Sequence, residues 1–133
     1  MKRSLTPEQQ QAAHERRQKF YALAKSISDM PEGERTALAA KFPVIATIEG
    51  RALSLHNQIL VASQCPSATL VGGFRQWIAV GRAVRKGEHG LMIWIPRIPK
   101  QDDSGEIGGE VRFIIGTVFD VSQTIEVQTA AAA

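Results

Sequence analysis

Residues 73–100 read GFRQWIAVGRAVRKGEHGLMIWIPRIPK, and the period of their apolar residues changes partway along. Phe74, Trp77 and Ile78 recur at helical spacing. That predicts a short helix with those three on its inner face, Arg75 and Ala79 turned away, and Gly81 as its cap. After Gly81 the period drops to two. RAVR predicts a short strand, KGEHG a turn, and LMIWIPRIP a longer strand with Leu91, Ile93 and Ile95 on one side and Met92 and Trp94 on the other. Pro96 and Pro99 mark the end of that strand as an edge. EVRFIIGTVF (110–119) alternates again, with Val111, Phe113, Ile115 and Phe119 on one face. The two long strands are therefore expected to form a β-hairpin with a flexible tip near Ser104 to Gly109.

Upstream the signals are helical. Thr6, Pro7 and Gln9 spell a helix start with a capping box, and Ala13, Phe20, Ala24 and Ile27 follow as one apolar stripe ending near Asp29. Asp29 is a candidate cap for a second helix, with Pro31, Glu32 and Glu34 in its first turn, Leu38 and Phe42 as anchors and Pro43 as its stop. VIATIEG (44–50) reads either as a short strand or as a loop. SLHNQILVASQ (54–64) predicts a third helix with Ser54 as N-cap, a buried stripe of Leu55, Ile59 and Ala62, and a separate face of Ser54, Asn57 and Gln64. ATLVGG (68–73) reads as extended, then turning. Helices followed by strands make an α+β domain, N-terminal helices packed on a small antiparallel β-sheet or hairpin.

A length of 133 residues suits one domain with its own core. The single cysteine, Cys65, excludes an internal disulfide, no apolar run approaches the roughly 20 residues of a membrane span, and MKRSLTPEQQQ lacks a signal-peptide core. A cytoplasmic protein with no membrane association is expected. The net charge of +3 is unevenly spread. Residues 1–25 hold six basic side chains against two acids, and residues 73–100 hold Arg75, Arg82, Arg85, Lys86, Arg97 and Lys100 against Glu88 alone. Such clustering suits a polyanionic partner, and it also serves solubility.

Enzyme signals are poor. HERRQ begins like a zinc-protease motif at His14, but Gln18 stands where the second histidine is needed. There is no nucleophile elbow or phosphate-binding Walker loop, and Asp120 reads as a cap after its strand. No enzyme activity, cofactor or metal site is expected. The basic and aromatic segment is the better guide. Single-stranded nucleic acid asks for cations along its phosphates and flat rings for its bases, each stack contributing roughly 1–3 kcal/mol. Arg82, Arg85 and Lys86 around a turn with Gly87 and Gly90 fit a phosphate clamp. Trp77 lies on the apolar face of its helix, which favours core packing. Trp94 is either core or a base platform. Asn57 belongs to a solvated helix face or holds the loop after its helix through the side-chain amide.

The ordered series SLHNQILVASQCPSATLVGGFRQWIAVGRAVRKGEHGLMIWIP and VFDVSQT, within residues 50–125, resembles the N-terminal single-stranded-DNA-binding domain of ArdC-type antirestriction proteins of plasmids and other mobile elements. In that family the domain is often joined to a zinc-metalloprotease-like domain carrying HExxH, a motif these 133 residues do not contain. The resemblance implies DNA binding and places it on Asn57, Gln58, Arg75, Trp77, Arg82, Arg85, Lys86 and Gln123, to which the aromatic argument adds Trp94. On this reading residues 1–49 are a helical leader, 50–125 the ssDNA-binding core of the same domain, and 126–133 a disordered tail. The partner is single-stranded DNA, with RNA equally compatible with charge and stacking. The alternative is a small protein-binding antagonist of a host enzyme that meets an acidic surface with the basic hairpin.

Overall fold

The computed structural model describes residues 4–97 and 111–127. Helix α1 (Pro7–Ser28) starts at Thr6 with the full capping box, and it ends at Asp29 as expected. Phe20, Ala24 and Ile27 are its buried residues. Helix α2 (Glu32–Ala39) is capped by Pro31, which makes no side-chain capping bond. Asp29 therefore belongs to the end of α1, where it pairs with Lys25 at 3.0 Å, and Phe42 lies past the helix. Helix α3 (Leu55–Gln64) is capped by Ser54, whose hydroxyl accepts from the Asn57 N–H. Its buried residues are Ile59, Leu60, Val61 and Ala62 in a row, while Leu55 is exposed. The expected one-sided stripe is replaced by a helix buried all round its middle, because α3 lies between two core clusters. Ile59 and Leu60 join Phe20, Ala24, Ile27 and Ala39 on one side, and Val61 and Ala62 join Ile45, Ala68, Val71, Leu91 and Ile93 on the other. The helices of the leader thus pack on one side of α3, in the cluster that also takes Met92, Trp94 and Ile115.

Strands β1 (Ala46–Thr47), β2 (Leu70–Gly72), β4 (Leu91–Arg97) and β5 (Arg112–Asp120) form one sheet in the order β1-β2-β5-β4. β1 runs parallel to β2, so the sheet is mixed rather than purely antiparallel, and VIATIEG supplies the short strand of its two readings. β4 and β5 form the expected hairpin, in register from Leu91 opposite Val118 to Arg97 opposite Arg112. Its tip, together with Pro99 and Lys100, lies outside the described residues. Between β2 and β4 come the short helix α4 (Phe74–Ala79) and strand β3 (Arg82–Val84). β3 pairs with β6 (Thr124–Glu126) in a separate two-stranded ribbon. Glu126 therefore sits in a strand rather than in a tail, and residues 128–133 are outside the described residues. In α4 only Trp77 is buried; Phe74 and Ile78 are each 54% exposed. Trp77 alone enters the core, donating its indole N–H to the Phe119 carbonyl at 2.9 Å.

β4 is an edge strand, and an open edge invites pairing with other chains. Here α3 closes it with side chains. The Asn57 amide donates to the Trp94 carbonyl and accepts from the Trp94 N–H, both at 2.9 Å. Seven residues on, Gln64 does the same for Met92, at 2.8 and 2.9 Å. Two carboxamides two turns apart thus imitate a fifth strand. Asn57→Ala removes both bonds at Trp94 and is expected to cost about 2 kcal/mol, at roughly 1 kcal/mol per neutral hydrogen bond. Urea unfolding measures this.

Candidate nucleic-acid interface

The turn between β3 and β4 is built by local bonds. The Glu88 N–H donates to the Arg85 carbonyl at 3.2 Å, closing a tight turn across Lys86 and Gly87. Gly87 has φ +89°, a conformation that costs a residue with a Cβ roughly 1 kcal/mol or more. The turn is tied to the 3-10 turn Val121–Gln123 behind it. Gln123 donates its amide to the His89 carbonyl at 2.8 Å and accepts from the Asp120 N–H, and the Arg85 N–H donates to the Gln123 carbonyl. The turn and the 3-10 turn together border an open cleft of about 450 Å³, lined by Gly87, Glu88, His89, Gly90, Gln64 and Ser122 among others.

Asp120 anchors this arrangement. It is 1% exposed and accepts four hydrogen bonds: from the Thr69 and Leu70 N–H groups, the Ser122 N–H and the Ser122 hydroxyl. Burial pushes its pKa up, but the bonds from Ser122, Thr69 and Leu70 outweigh that and hold it below the ordinary aspartate value. Its role is structural, as its position after the strand suggested, and it also ties the start of β2 to the end of β5.

The nine residues singled out in the sequence separate into three groups. Arg85 and Lys86 stand together at the turn. Lys86 is exposed with no side-chain partner among the described residues. Arg85 donates to the Ser122 carbonyl at 2.7 Å and meets Glu88 at 3.3 Å, with half of its side chain still exposed. Arg82, expected beside them in the clamp, turns away. Its guanidinium bonds the Thr124 hydroxyl and carbonyl at 2.7 and 3.2 Å and lies 3.8 Å from Glu126. It holds β3 to β6, and the clamp narrows to two cations. Arg75 is exposed on α4, again without a partner among the described residues.

The second group serves the fold. Trp77 is 2% exposed and presents no face to a base. The Asn57 amide is committed to β4, and Gln123 to the turn. Gln58 donates to the Pro43 carbonyl at 3.2 Å and fixes the chain after α2. Trp94 stands alone in the third group. It is half-buried, packed against Phe20 and Tyr21 with ring centroids 5.0 and 6.1 Å apart. Its other side borders an open groove of about 700 Å³ shared with Pro96, Phe113 and His56. Burial, then the charge of Arg35, lowers the His56 pKa, so this groove gains no charge from it at pH 7. Four residues of β4, about 13 Å, separate Trp94 from Gly90. The cations and the ring therefore belong to different hollows on the molecule.

Sequence reasoning passed over Arg16 and Lys19 as members of a site. They line a hollow of about 170 Å³ between α1 and β4, together with Phe20, Gln64, Gly90 and Met92. The only signal for them was the charge excess of residues 1–25.

Among the described residues, no group of three or more His, Cys, Asp or Glu is placed to hold a metal ion, and no helix is long and apolar enough to cross a membrane.

Comparison with known proteins places this architecture. No curated protein matches the chain in sequence. Two solved structures of the antirestriction ArdC protein from plasmid R388 share its fold. The metal-free form superimposes with a TM-score of 0.56 at 20% identity, covering 82% of this chain and 42% of that one. The Mn(II)-bound form gives 0.51 at 18%, covering 71% and 38%. This chain thus spans about two fifths of the length of those proteins. The family model for the N-terminal domain of the anti-restriction factor ArdC matches residues 22–121, from the second half of α1 to the start of the 3-10 turn. The α+β architecture and that match together show that the chain belongs to the family of the ArdC N-terminal domain.

Proposed function

We propose that the domain is a non-enzymatic, sequence-tolerant binder of single-stranded DNA that holds phosphates at the β3–β4 turn. The observation that carries this reading is the pairing of Arg85 and Lys86 beside Gly87, on a turn braced by Gln123 and bordering an open cleft through Gly87 and Glu88. Arg85, already oriented by the Ser122 carbonyl, loses little side-chain freedom on meeting a phosphate. Lys86 adds a mobile charge. The missing side chain at Gly87 lets a phosphate come close to the backbone. None of these contacts touches a base edge, so sequence tolerance follows. Trp94, beside its open groove, gives a base farther along the strand a ring to stack on.

Relatives named as antirestriction proteins of a plasmid favour DNA over RNA as the partner. They also favour the cytoplasm, where DNA entering as a single strand needs cover. Fluorescence anisotropy with labelled oligonucleotides of about 20–30 nucleotides, single- and double-stranded, tests the proposal. Retention of the single strand in low salt, tighter than of the duplex and independent of sequence, is the expected result. Incubation with DNA and Mg²⁺ should leave the strands intact; fragments would make the domain a nuclease.

A further inference from the structure

The cleft at the turn and the hollow under α1 share two residues, Gln64 and Gly90. Gln64 is pinned by its bonds to Met92 and to the Leu60 carbonyl at 2.9 Å. A Cβ at Gly90 would press on the Thr117 side chain, so the strand start keeps a glycine there. The two hollows therefore border each other at the start of β4. The cleft is lined by Gly87 and Glu88, which follow Arg85 and Lys86 in the chain, and the hollow by Arg16 and Lys19. Arg16 lies one helical turn before Phe20, whose ring enters the core beside Trp94, so Arg16 is set on the sheet-facing side of α1 just where the core stops. Lys19 is three residues further on and neighbours it. Neither is in an ion pair among the described residues. Glu88, the acid bordering this path, is engaged by Arg85 at 3.3 Å.

We infer that α1 supplies the second half of the nucleic-acid site. A single strand held at the β3–β4 turn passes over Gly90 and Gln64 into the hollow under α1, where Arg16 and Lys19 take further phosphates. This rests on the reading of the turn as a single-stranded-DNA site. Arg16 and Lys19 precede the residues matched by the family model, which begins at residue 22. The extension accounts for the two separate basic clusters of the sequence by one ligand.

The test uses the full chain with Arg16→Gln and Lys19→Gln together, against labelled oligo-dT of about 6 to 30 nucleotides. Neutralising two phosphate contacts should lower the steepness of log affinity against log salt by about 1.4, at about 0.7 per contact on a single strand. Affinity for the long oligonucleotides should fall roughly tenfold, with a smaller loss for the shortest. A control with the same charge change, Arg17→Gln with Arg51→Gln, both exposed away from the path, should leave affinity within about threefold. Wild-type binding that is unchanged in the first variant would overturn the extension alone, as would an equal loss in the control. Failure of the wild type to bind at any length would overturn the reading of the turn as well.

Discussion

Reversing both charges at the turn, Arg85→Glu with Lys86→Glu, should weaken binding of a single strand of about 20–30 nucleotides on the order of a hundredfold near 0.1 M salt. Each is a charge-assisted contact worth about 1.5 kcal/mol or more, and about 1.4 kcal/mol is tenfold in affinity. The two positions differ in what they do for the fold. Lys86 is exposed and unpartnered among the described residues, so Lys86→Glu alone should move stability by less than about 0.5 kcal/mol. Arg85 braces the turn through the Ser122 carbonyl and sits beside Glu88. Its reversal loses that bond and places two acids side by side, which should cost about 1 kcal/mol and lower Tm by a few degrees. Binding is therefore measured well below Tm, with Arg85→Lys as the partner variant that keeps the charge. A double variant that binds as tightly as wild type would mean that the turn is only structural.

Asp120→Ala should be the most damaging substitution, at about 3–5 kcal/mol. It strips the acceptor from four hydrogen bonds in a site 1% exposed and strands the N–H groups of Thr69, Leu70 and Ser122. At this size that lowers Tm by roughly 10 °C or more. Asp120→Asn, nearly the same shape, should also be destabilising, because its NH₂ would face one of those donors. The pH dependence follows from the sign of the shift. With its folded pKa below the unfolded value, Asp120 stabilises the fold fully above the ordinary aspartate range. That contribution is lost as pH falls through the folded value. Between pH 7 and pH 3, wild type should therefore lose more stability than the alanine variant, as urea unfolding across that range would show.

Much of the fold was legible because local rules and packing agreed. Thr6-Pro7-Gln9 predicted the start of α1, Ser54 the start of α3, and the period-two run from Leu91 the hairpin strand. What was missed depended on partners far apart in the chain. The buried run Ile59–Ala62 has no helical period, because α3 is covered on one side by α1 and Ala39 and on the other by Ile45, Ala68, Val71 and β4. A two-residue parallel strand at Ala46–Thr47 has too little pattern to read. The site was legible as a composition and less so as a geometry. Nothing in the letters separates Arg82, which reaches Thr124 across the ribbon, from Lys86, which reaches nothing described. Asn57 and Gln64 share a helix face at a spacing of seven, and only the position of β4 turns that face into a strand edge. The motifs that signalled the family are thus largely devices that hold the fold: Asn57 caps the edge of β4, while Asp120 and Gln123 brace the 3-10 turn against the β3–β4 turn.

The account rests on four cations, Arg16, Lys19, Arg85 and Lys86, lying along one path. Its most direct measurement is the salt dependence of single-strand binding by the unmodified chain. Four phosphate contacts at about 0.7 each predict that log affinity falls with log salt at a slope near −3. A slope near zero, or no binding in low salt, would contradict it.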